Sequence, residues 1–307
     1  MSILALQGSF ELGIIYAIMA LGVFLSFRTL NMPDLTVDGS FVTGAAISVV
    51  LCMSGHPFLG LLLAFVFGCG AGCIAAFLYT KLKIQALLAG ILAMLALYSI
   101  NLKILSGRAN IALLNKATVF SEFEKIMSGE YSRLTLALLV MLLCLILLFL
   151  FLNTRLGFLV RATGDNDQMV RALGVNTDLT VFVGLAGANG FVALSGAMIA
   201  QYQSFVDVSM GVGMVVIGLA SVIIGEVVFG IRTLLRRLIA VVLGSVLYRL
   251  IIAFALELGM PATDLKLVSA IIVALAMSTP VLKKQFAVMK RKFFSHRGSS
   301  KGNGQWQ

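Results

Sequence analysis

The sequence predicts an all-α polytopic membrane protein with about nine transmembrane helices. Of its 307 residues, 60% are hydrophobic and only 12% are charged, whereas about 25% of the residues of a soluble protein are charged. A soluble fold of this size could not bury so much apolar surface. The long apolar runs, such as 134–152, lack the strict alternation of membrane β-strands, so the spans are predicted to be helical.

Apolar runs separated by polar breaks define the spans, because a helix needs about 20 mostly apolar residues to cross a bilayer. The first run has no basic segment before it and is predicted to be a retained span, not a cleaved signal peptide. The predicted spans are 9–27, 37–54, 58–79, 85–104, 134–152, 179–200, 210–230, 238–256 and 265–282.

Basic residues set the predicted orientation. With the N-terminus outside, sixteen Lys and Arg lie on the cytoplasmic side and six lie outside, as the positive-inside rule requires. The net charge of +10 therefore reflects orientation and does not indicate nucleic-acid binding, since no basic patch is interleaved with aromatic residues. The tail 283–307 is basic and then rich in Gly and Ser, and it is expected to be cytoplasmic and disordered or in contact with anionic lipid.

Spans 1–4 and spans 6–9 are predicted to be an inverted repeat around span 5. Residues 37–44 align with 206–213 at an offset of 169, sharing Val, Asp, Ser and Gly, and 78–79 align with 247–248 at the same offset. Because a single span separates the halves, the second half enters the membrane upside down. Inverted repeats are typical of transporters, whose solute pathway lies near the midplane between the halves.

A few polar residues inside or beside the spans are candidates for the solute pathway. Two aspartates are expected to open the second and seventh spans, either as helix caps or as part of broken helices that line the pathway. An arginine about eleven residues into the eighth span is expected to face a cavity or a polar partner. The candidate pathway residues are Asp38, Ser40, Asp207, Ser209 and Arg249.

Two further acidic residues accompany these candidates. Asp34 follows a proline and is expected to belong to the same entry turn as Asp38. Glu226 lies near the cytoplasmic end of the seventh span, where we expect a paired or snorkelling residue close to Arg232 and Arg236.

The longest polar stretch in the middle of the chain, 161–178, predicts a short amphipathic helix on the cytoplasmic face. Asp165 is the predicted N-cap and Gly174 the predicted C′ residue. Met169, Ala172 and Leu173 share one apolar face. This face has no large aromatic residue and the polar face carries two aspartates, so docking to a protein partner is favoured over resting on lipid.

The stretch Arg161-Ala162-Thr163-Gly164-Asp165-Asn166, followed by Arg171-Ala172-Leu173-Gly174-Val175-Asn176, resembles the coupling loop of bacterial ABC permeases of the branched-chain amino acid and ribose importer type. Residues 34–41 and 220–226 are also similar to that family, and the similarity extends over about 9–282. The Leu-Thr-Val-Asp-Gly-Ser-Phe variant at 35–41 looks closest to permeases that take up tryptophan or tyrosine.

The resemblance implies a mechanism and a set of partners. Two permease chains, most simply two copies, would form the pathway in the inner membrane, and a loop at 153–178 of the permease domain 1–282 would dock into a separate ATPase. A binding protein would deliver solute at the external loops 105–133 and 201–209. The implied ATPase-coupling residues are Gly164, Asp165, Asn166, Met169, Arg171, Ala172, Leu173 and Gly174.

The chain itself is not expected to be an enzyme or to hold a cofactor. It contains no Gly-x-x-x-x-Gly-Lys-Ser/Thr motif, so ATP and Mg²⁺ are expected on the partner ATPase. Its four cysteines fall in apolar segments and its two histidines are isolated, so no metal site is predicted.

The rival interpretation is an ion-coupled secondary transporter, a class that also uses inverted repeats. Such a transporter usually needs a carboxylate or histidine at mid-depth to bind the coupling ion, and no central carboxylate is evident in the spans. A purely structural membrane protein would leave the repeat and the polar loop unexplained.

Overall fold

Helices make up most of the part of the chain that the computed structural model describes, namely residues 3–127, 129, 131–260 and the single positions 267, 270, 271, 274 and 278. A π-helical segment, Phe24–Thr29, continues the first helix. The helices are α1 (Ile3–Val23), α2 (Thr36–Met53), α3 (Pro57–Thr80), α4 (Ala86–Ile104), α5 (Val119–Ile126), α6 (Ser132–Leu152), α7 (Arg155–Asp165), α8 (Asp167–Ala172), α9 (Thr177–Gln203), α10 (Met214–Phe229) and α11 (Leu234–Glu257).

Two three-residue strands depart from the all-α prediction within these residues. The strand β1 (Asn110–Ala112) pairs antiparallel with β2 (Phe205–Asp207), and Ile111 lies opposite Val206. Both strands belong to loops, outside the membrane-spanning helices.

The structure confirms most of the predicted spans. Seven described helices are long and apolar enough to cross a membrane: α1 with its π-helical continuation, α2, α3, α4, α6, α9 and α11. The seventh predicted span corresponds to α10, which has only 16 residues, about 24 Å at 1.5 Å per residue. The predicted ninth span, 265–282, lies outside the described residues apart from five isolated positions, and the tail 283–307 lies wholly outside them.

Helix α9 is the central element of the bundle. It is 27 residues long, about 40 Å, and it packs against α1, α2 and α3. Small residues on its buried faces, such as Gly184, Ala188 and Gly196, allow neighbouring backbones to approach closely. By contrast, α3, α4 and α6 expose most of their apolar side chains, as expected of helices that face lipid.

The helix contacts of the two halves correspond to each other, as the inverted repeat predicts. Helix α9 packs on α2 and α3, while α1 packs on α10 and α11; the pairs α2–α3 and α10–α11 also pack together. The two lead helices are antiparallel, because Ile15 of α1 lies level with Ser195 whereas Leu30 lies level with Gly184. The second half is therefore inverted with respect to the first.

Side-chain contacts define the two ends of the bundle. The last turns of α1, α3 and α10 meet the first turns of α9 and α11 beside α7 and α8; we call this the α7–α8 end. The first part of α1 meets the last part of α9 near the strand pair, at what we call the β1–β2 end.

Candidate functional site

Helices α7 and α8 form a surface at one end of the bundle, and capping residues define both helices. The Thr154 side chain accepts a hydrogen bond from the Gly157 N–H at the start of α7. The Asn166 side chain accepts one from the Met169 N–H at the start of α8. Gly174 follows α8 with φ +81°, the left-handed conformation that glycine adopts most easily.

The prediction that Asp165 is the N-cap of one short helix was wrong. Asp165 is the last residue of α7, and Asn166 caps α8 because its backbone is extended (φ −160°, ψ 95°), as an N-cap requires. Helix α7 was not predicted, although Thr154, a residue type favoured at N-caps, directly precedes it. Gly174 lies after the helix end, as predicted.

The apolar side chains predicted to share a face of α8 are exposed. Met169 is 50% exposed and Leu173 is 73% exposed, and Ala172 lies beside them and is also exposed. Val170 is the residue that points into the protein, with 2% exposure. An exposed apolar face on a helix held by one buried side chain is typical of a docking surface for a partner.

Charged residues surround this face. Arg171 donates a hydrogen bond to Asp167 at 3.2 Å and lies 3.6 Å from Asp178, which also accepts a hydrogen bond from Lys81 at 3.0 Å. A cleft of about 600 Å³ separates α8 from the loop after α3, and Lys83 contributes to its lining. Polar groups around an apolar centre match the usual anatomy of a protein interface.

Helix α7 is packed directly against the end of α1. A Cβ added at Gly164 would lie 1.9 Å from the Thr29 carbonyl oxygen, so only glycine permits this contact. On the next face of the helix, the hydroxyls of Thr163 and Thr180 are hydrogen-bonded at 2.8 Å. The predicted coupling residue Gly164 thus joins the α7–α8 surface to the transmembrane helices.

The second cluster lies halfway along the bundle, where α2 begins. The Ser40 hydroxyl donates to the Asn189 side chain at 2.6 Å, and Asn189 lies twelve residues after the start of α9 and fourteen before its end. Helix α2 begins four residues before Ser40, at Thr36, and therefore starts about 12 Å inside the α7–α8 end of α9. A helix that starts at this depth is a broken helix of the kind that lines transport pathways.

Buried hydrogen bonds hold this helix start in place. Asp34, 3% exposed, accepts one hydrogen bond from the Thr36 N–H at 2.9 Å and another from the Asn189 side chain at 2.7 Å. As expected, Asp34 belongs to the entry turn of α2. Asn189 was not flagged from the sequence because a single Asn in an apolar span has no local signature.

Asp38 lies in the first turn of α2 but caps a different helix. One carboxylate oxygen accepts a hydrogen bond from the Gly213 N–H and the other accepts one from the Val215 N–H, each at 2.9 Å. These are the free N–H groups at the start of α10, where a negative charge is stabilised by the helix dipole. Helices α2 and α10 therefore begin at the same depth, and Asp38 joins their N-termini.

The prediction that Asp207 opens the seventh span was wrong. Asp207 is the last residue of β2, and its carboxylate accepts hydrogen bonds from the Ser209 N–H and hydroxyl in a local turn. The chain then returns into the bundle and α10 begins only at Met214, after Gly213 with φ +89°.

Arg249 has an aromatic partner inside the bundle. Its guanidinium carbon lies 4.3 Å from the centre of the Tyr16 ring, a cation–π geometry. It sits fifteen residues into α11 and eight from its end, so it lies about four residues past the middle of the helix, on the side of the β1–β2 end. Arg249 was expected to face a cavity or a partner, and in the structure it faces the ring of Tyr16 on α1.

Glu226 is paired, as expected, but not with the predicted arginines. It accepts hydrogen bonds from Arg28 at 2.6, 2.9 and 3.0 Å and lies 3.5 Å from Arg237. Arg236 instead donates to the Phe229 carbonyl. This ion cluster joins the ends of α1, α10 and α11.

An inverted helical repeat in which two helices begin inside the bundle, with an exposed apolar face at one end, is typical of a membrane transport protein. The comparisons with known proteins identify the type. The family model described as branched-chain amino acid transport system / permease component matches residues 6–277. The chain belongs to this family and is a multi-pass permease subunit of an ABC importer, which decides against the secondary transporter.

Three relatives illustrate the range of the family. The tyrosine transport system permease protein of Clostridioides difficile is 42% identical over 267 residues, 87% of this chain and 88% of the relative. An autoinducer 2 import system permease protein of Yersinia enterocolitica is 30% identical, over 81% of this chain and 67% of the relative. The guanosine ABC transporter permease protein of Bacillus subtilis is 24% identical, over 90% and 82% respectively. No solved structure matches the chain significantly.

Proposed function

We propose that this permease imports an amino acid, specifically an aromatic one. A separate ATPase that docks on the α7–α8 surface drives the import. Similarity to a tyrosine transport system permease over most of both chains supports the solute class. The exposed apolar face of Met169, Ala172 and Leu173, flanked by Arg171 and Asp167, supports the docking site.

The α7–α8 end lies in the cytoplasm in this proposal, with the N-terminus outside and the C-terminus inside. The positive-inside distribution of Lys and Arg supports this orientation. A substrate-binding protein then delivers solute at the β1–β2 end, and a second copy of the chain completes the pathway. ATP and Mg²⁺ are bound by the ATPase, whose closure moves α7 and α8. The candidate pathway residues remain Asp38, Ser40 and Arg249, with Asp207 and Ser209 nearer the binding protein.

The exposed apolar face carries the docking proposal, and a substitution there tests it. We expect Leu173→Asp to lower the amount of co-purified ATPase at least about tenfold, because it places a charge at the centre of an apolar interface. The measurement is purification from native membranes in mild detergent, with mass spectrometry to identify a Walker-type ATPase. Leu173→Met keeps the face apolar and should retain the ATPase, whereas equal recovery with Leu173→Asp would contradict the docking site.

Uptake by cells that lack this chain tests the solute class. We expect loss of tyrosine or tryptophan uptake at micromolar concentrations, with uptake restored by the wild-type chain and not by Leu173→Asp. Labelled leucine, ribose and guanosine are measured in parallel. A defect confined to ribose or guanosine would refute the amino-acid assignment while leaving the permease class intact.

A further inference from the structure

Helix α10 is held at both ends by residues of the first half of the chain. Asp38 binds the Gly213 and Val215 N–H groups at its N-terminus. Arg28 binds Glu226 near its C-terminus with three short hydrogen bonds. These two residues are only ten positions apart in the sequence, so residues 28–38 form a bracket around a helix that lies about 175 to 200 positions further along the chain.

The bracket is also where α7 contacts the bundle. Gly164 packs on the carbonyl of Thr29, the last residue of the π-helical segment, and on Leu30, which follows it. Single π-helical turns inside α-helices are frequent at functional sites, since their i→i+5 hydrogen bonds make a wider and less regular turn. A displacement of α7 therefore reaches the bracket at the point where the first long helix is least regular.

We propose that Asp38 is a positioning residue for transport: it transmits movement of the bracket, driven by α7, to the N-terminus of α10 at mid-depth. Five residues, 31–35, separate the α7 contact from the start of α2, and Asp34 fixes their far end through Asn189. Since Asp38 lies on the first turn of α2, a shift of that turn carries α10 with it. Both broken helices then move together at the depth where a solute passes between the halves.

The carboxylate is the group that makes this link. Its two oxygens accept from two N–H groups at once, and its charge is favourable at a helix N-terminus. In Asp38→Asn the amide nitrogen cannot accept a hydrogen bond, so one of the two bonds is lost while the shape of the side chain is kept. Asp38→Ser keeps a capping hydroxyl but cannot reach two N–H groups.

The inference rests on the proposed ATPase coupling, and the test uses the complex of permease, ATPase and binding protein purified from native membranes. In proteoliposomes we expect Asp38→Asn and Asp38→Ser to lower solute transported per ATP hydrolysed at least about tenfold. ATPase recovery should stay at the wild-type value, and the unfolding temperature should fall only by the roughly 1–8 °C that loss of a helix cap causes. Asp38→Glu should restore part of the coupling. Ser54→Ala is the control and should transport like the wild type, because it removes only an exposed hydrogen bond to the Val50 carbonyl at the other end of α2.

Each outcome decides between the two proposals. Wild-type coupling in Asp38→Asn would overturn the positioning role alone. So would coupling that returns to the wild-type value in both Asp38 variants at a temperature where they are fully folded. A wild-type chain that recruits no ATPase would overturn the proposed docking function and, with it, this inference.

Discussion

Replacing Gly44 with alanine is expected to destabilise the permease severely. A Cβ at this position of α2 would lie 1.8 Å from the Ala193 carbonyl oxygen and 2.4 Å from its carbonyl carbon. Both atoms belong to the backbone of α9, so the clash cannot be relieved by a side-chain rotation and the two helices must separate. Overpacking of this kind costs about 1–3 kcal/mol or more, and the hydrogen bonds of Ser40 and Ser48 to α9 would lengthen as well.

A matched control is available on the neighbouring helix. Gly70 lies in α3, and an added Cβ there would have no atom within 4 Å. Gly70→Ala should therefore be neutral or stabilising by up to about 1 kcal/mol, because alanine is the better helix former. We expect the unfolding temperature in detergent to fall by roughly 3–12 °C for Gly44→Ala and to be unchanged or higher for Gly70→Ala. Equal unfolding temperatures for the two variants would mean that α2 and α9 do not approach this closely.

The spans could be predicted from the sequence because hydropathy and helix length are properties of continuous segments. Helix α3, for example, was predicted at 58–79 and runs over Pro57–Thr80, between His56 and Lys81. The start of α10 was not predictable in the same way. The apolar run continues through 210–213, but Gly213 takes a positive φ and the helix begins only after it.

The sequence could not predict which distant residues pair with each other in the fold. An Asp in the first turn of a helix normally caps that helix, yet Asp38 caps α10 because the two helices begin at the same depth. Likewise, Glu226 has two arginines within ten residues in the sequence but binds Arg28, 198 positions away, and Arg237. Local rules identify which residues need a partner, and only the packing of the two halves determines which partner they find.

Some of the predicted coupling residues could be identified from local sequence, whereas the role of another depends on packing between distant helices. The chain segment and its exposed apolar residues, Met169 and Leu173, could be found from composition and helical spacing. The need for Gly164 could not, because it depends on the Thr29 carbonyl oxygen of a helix end 135 positions earlier.

Removing the carboxylate of Glu226 is expected to have a comparably large effect on stability. The side chain is only 6% exposed and faces two guanidinium groups, those of Arg28 and Arg237. In Glu226→Ala these two positive charges would face each other across a buried space with no counter-charge. Breaking a buried ion pair in this way costs about 3–5 kcal/mol, and we expect the lower part of that range because the Arg28 side chain is 50% exposed.

The measurement is thermal unfolding in detergent, where about 3 kcal/mol corresponds to a fall of roughly 6–12 °C. Lys125→Ala is the control, because it breaks an ion pair with Glu122 in which both side chains are more exposed, and such pairs contribute less than about 1 kcal/mol. A double-mutant cycle with Arg28→Gln should give a coupling energy of at least about 1 kcal/mol. If Glu226→Ala instead unfolds at the same temperature as Lys125→Ala, the ion cluster does not hold α1, α10 and α11 together. Arg28 then does not fix the C-terminal end of α10.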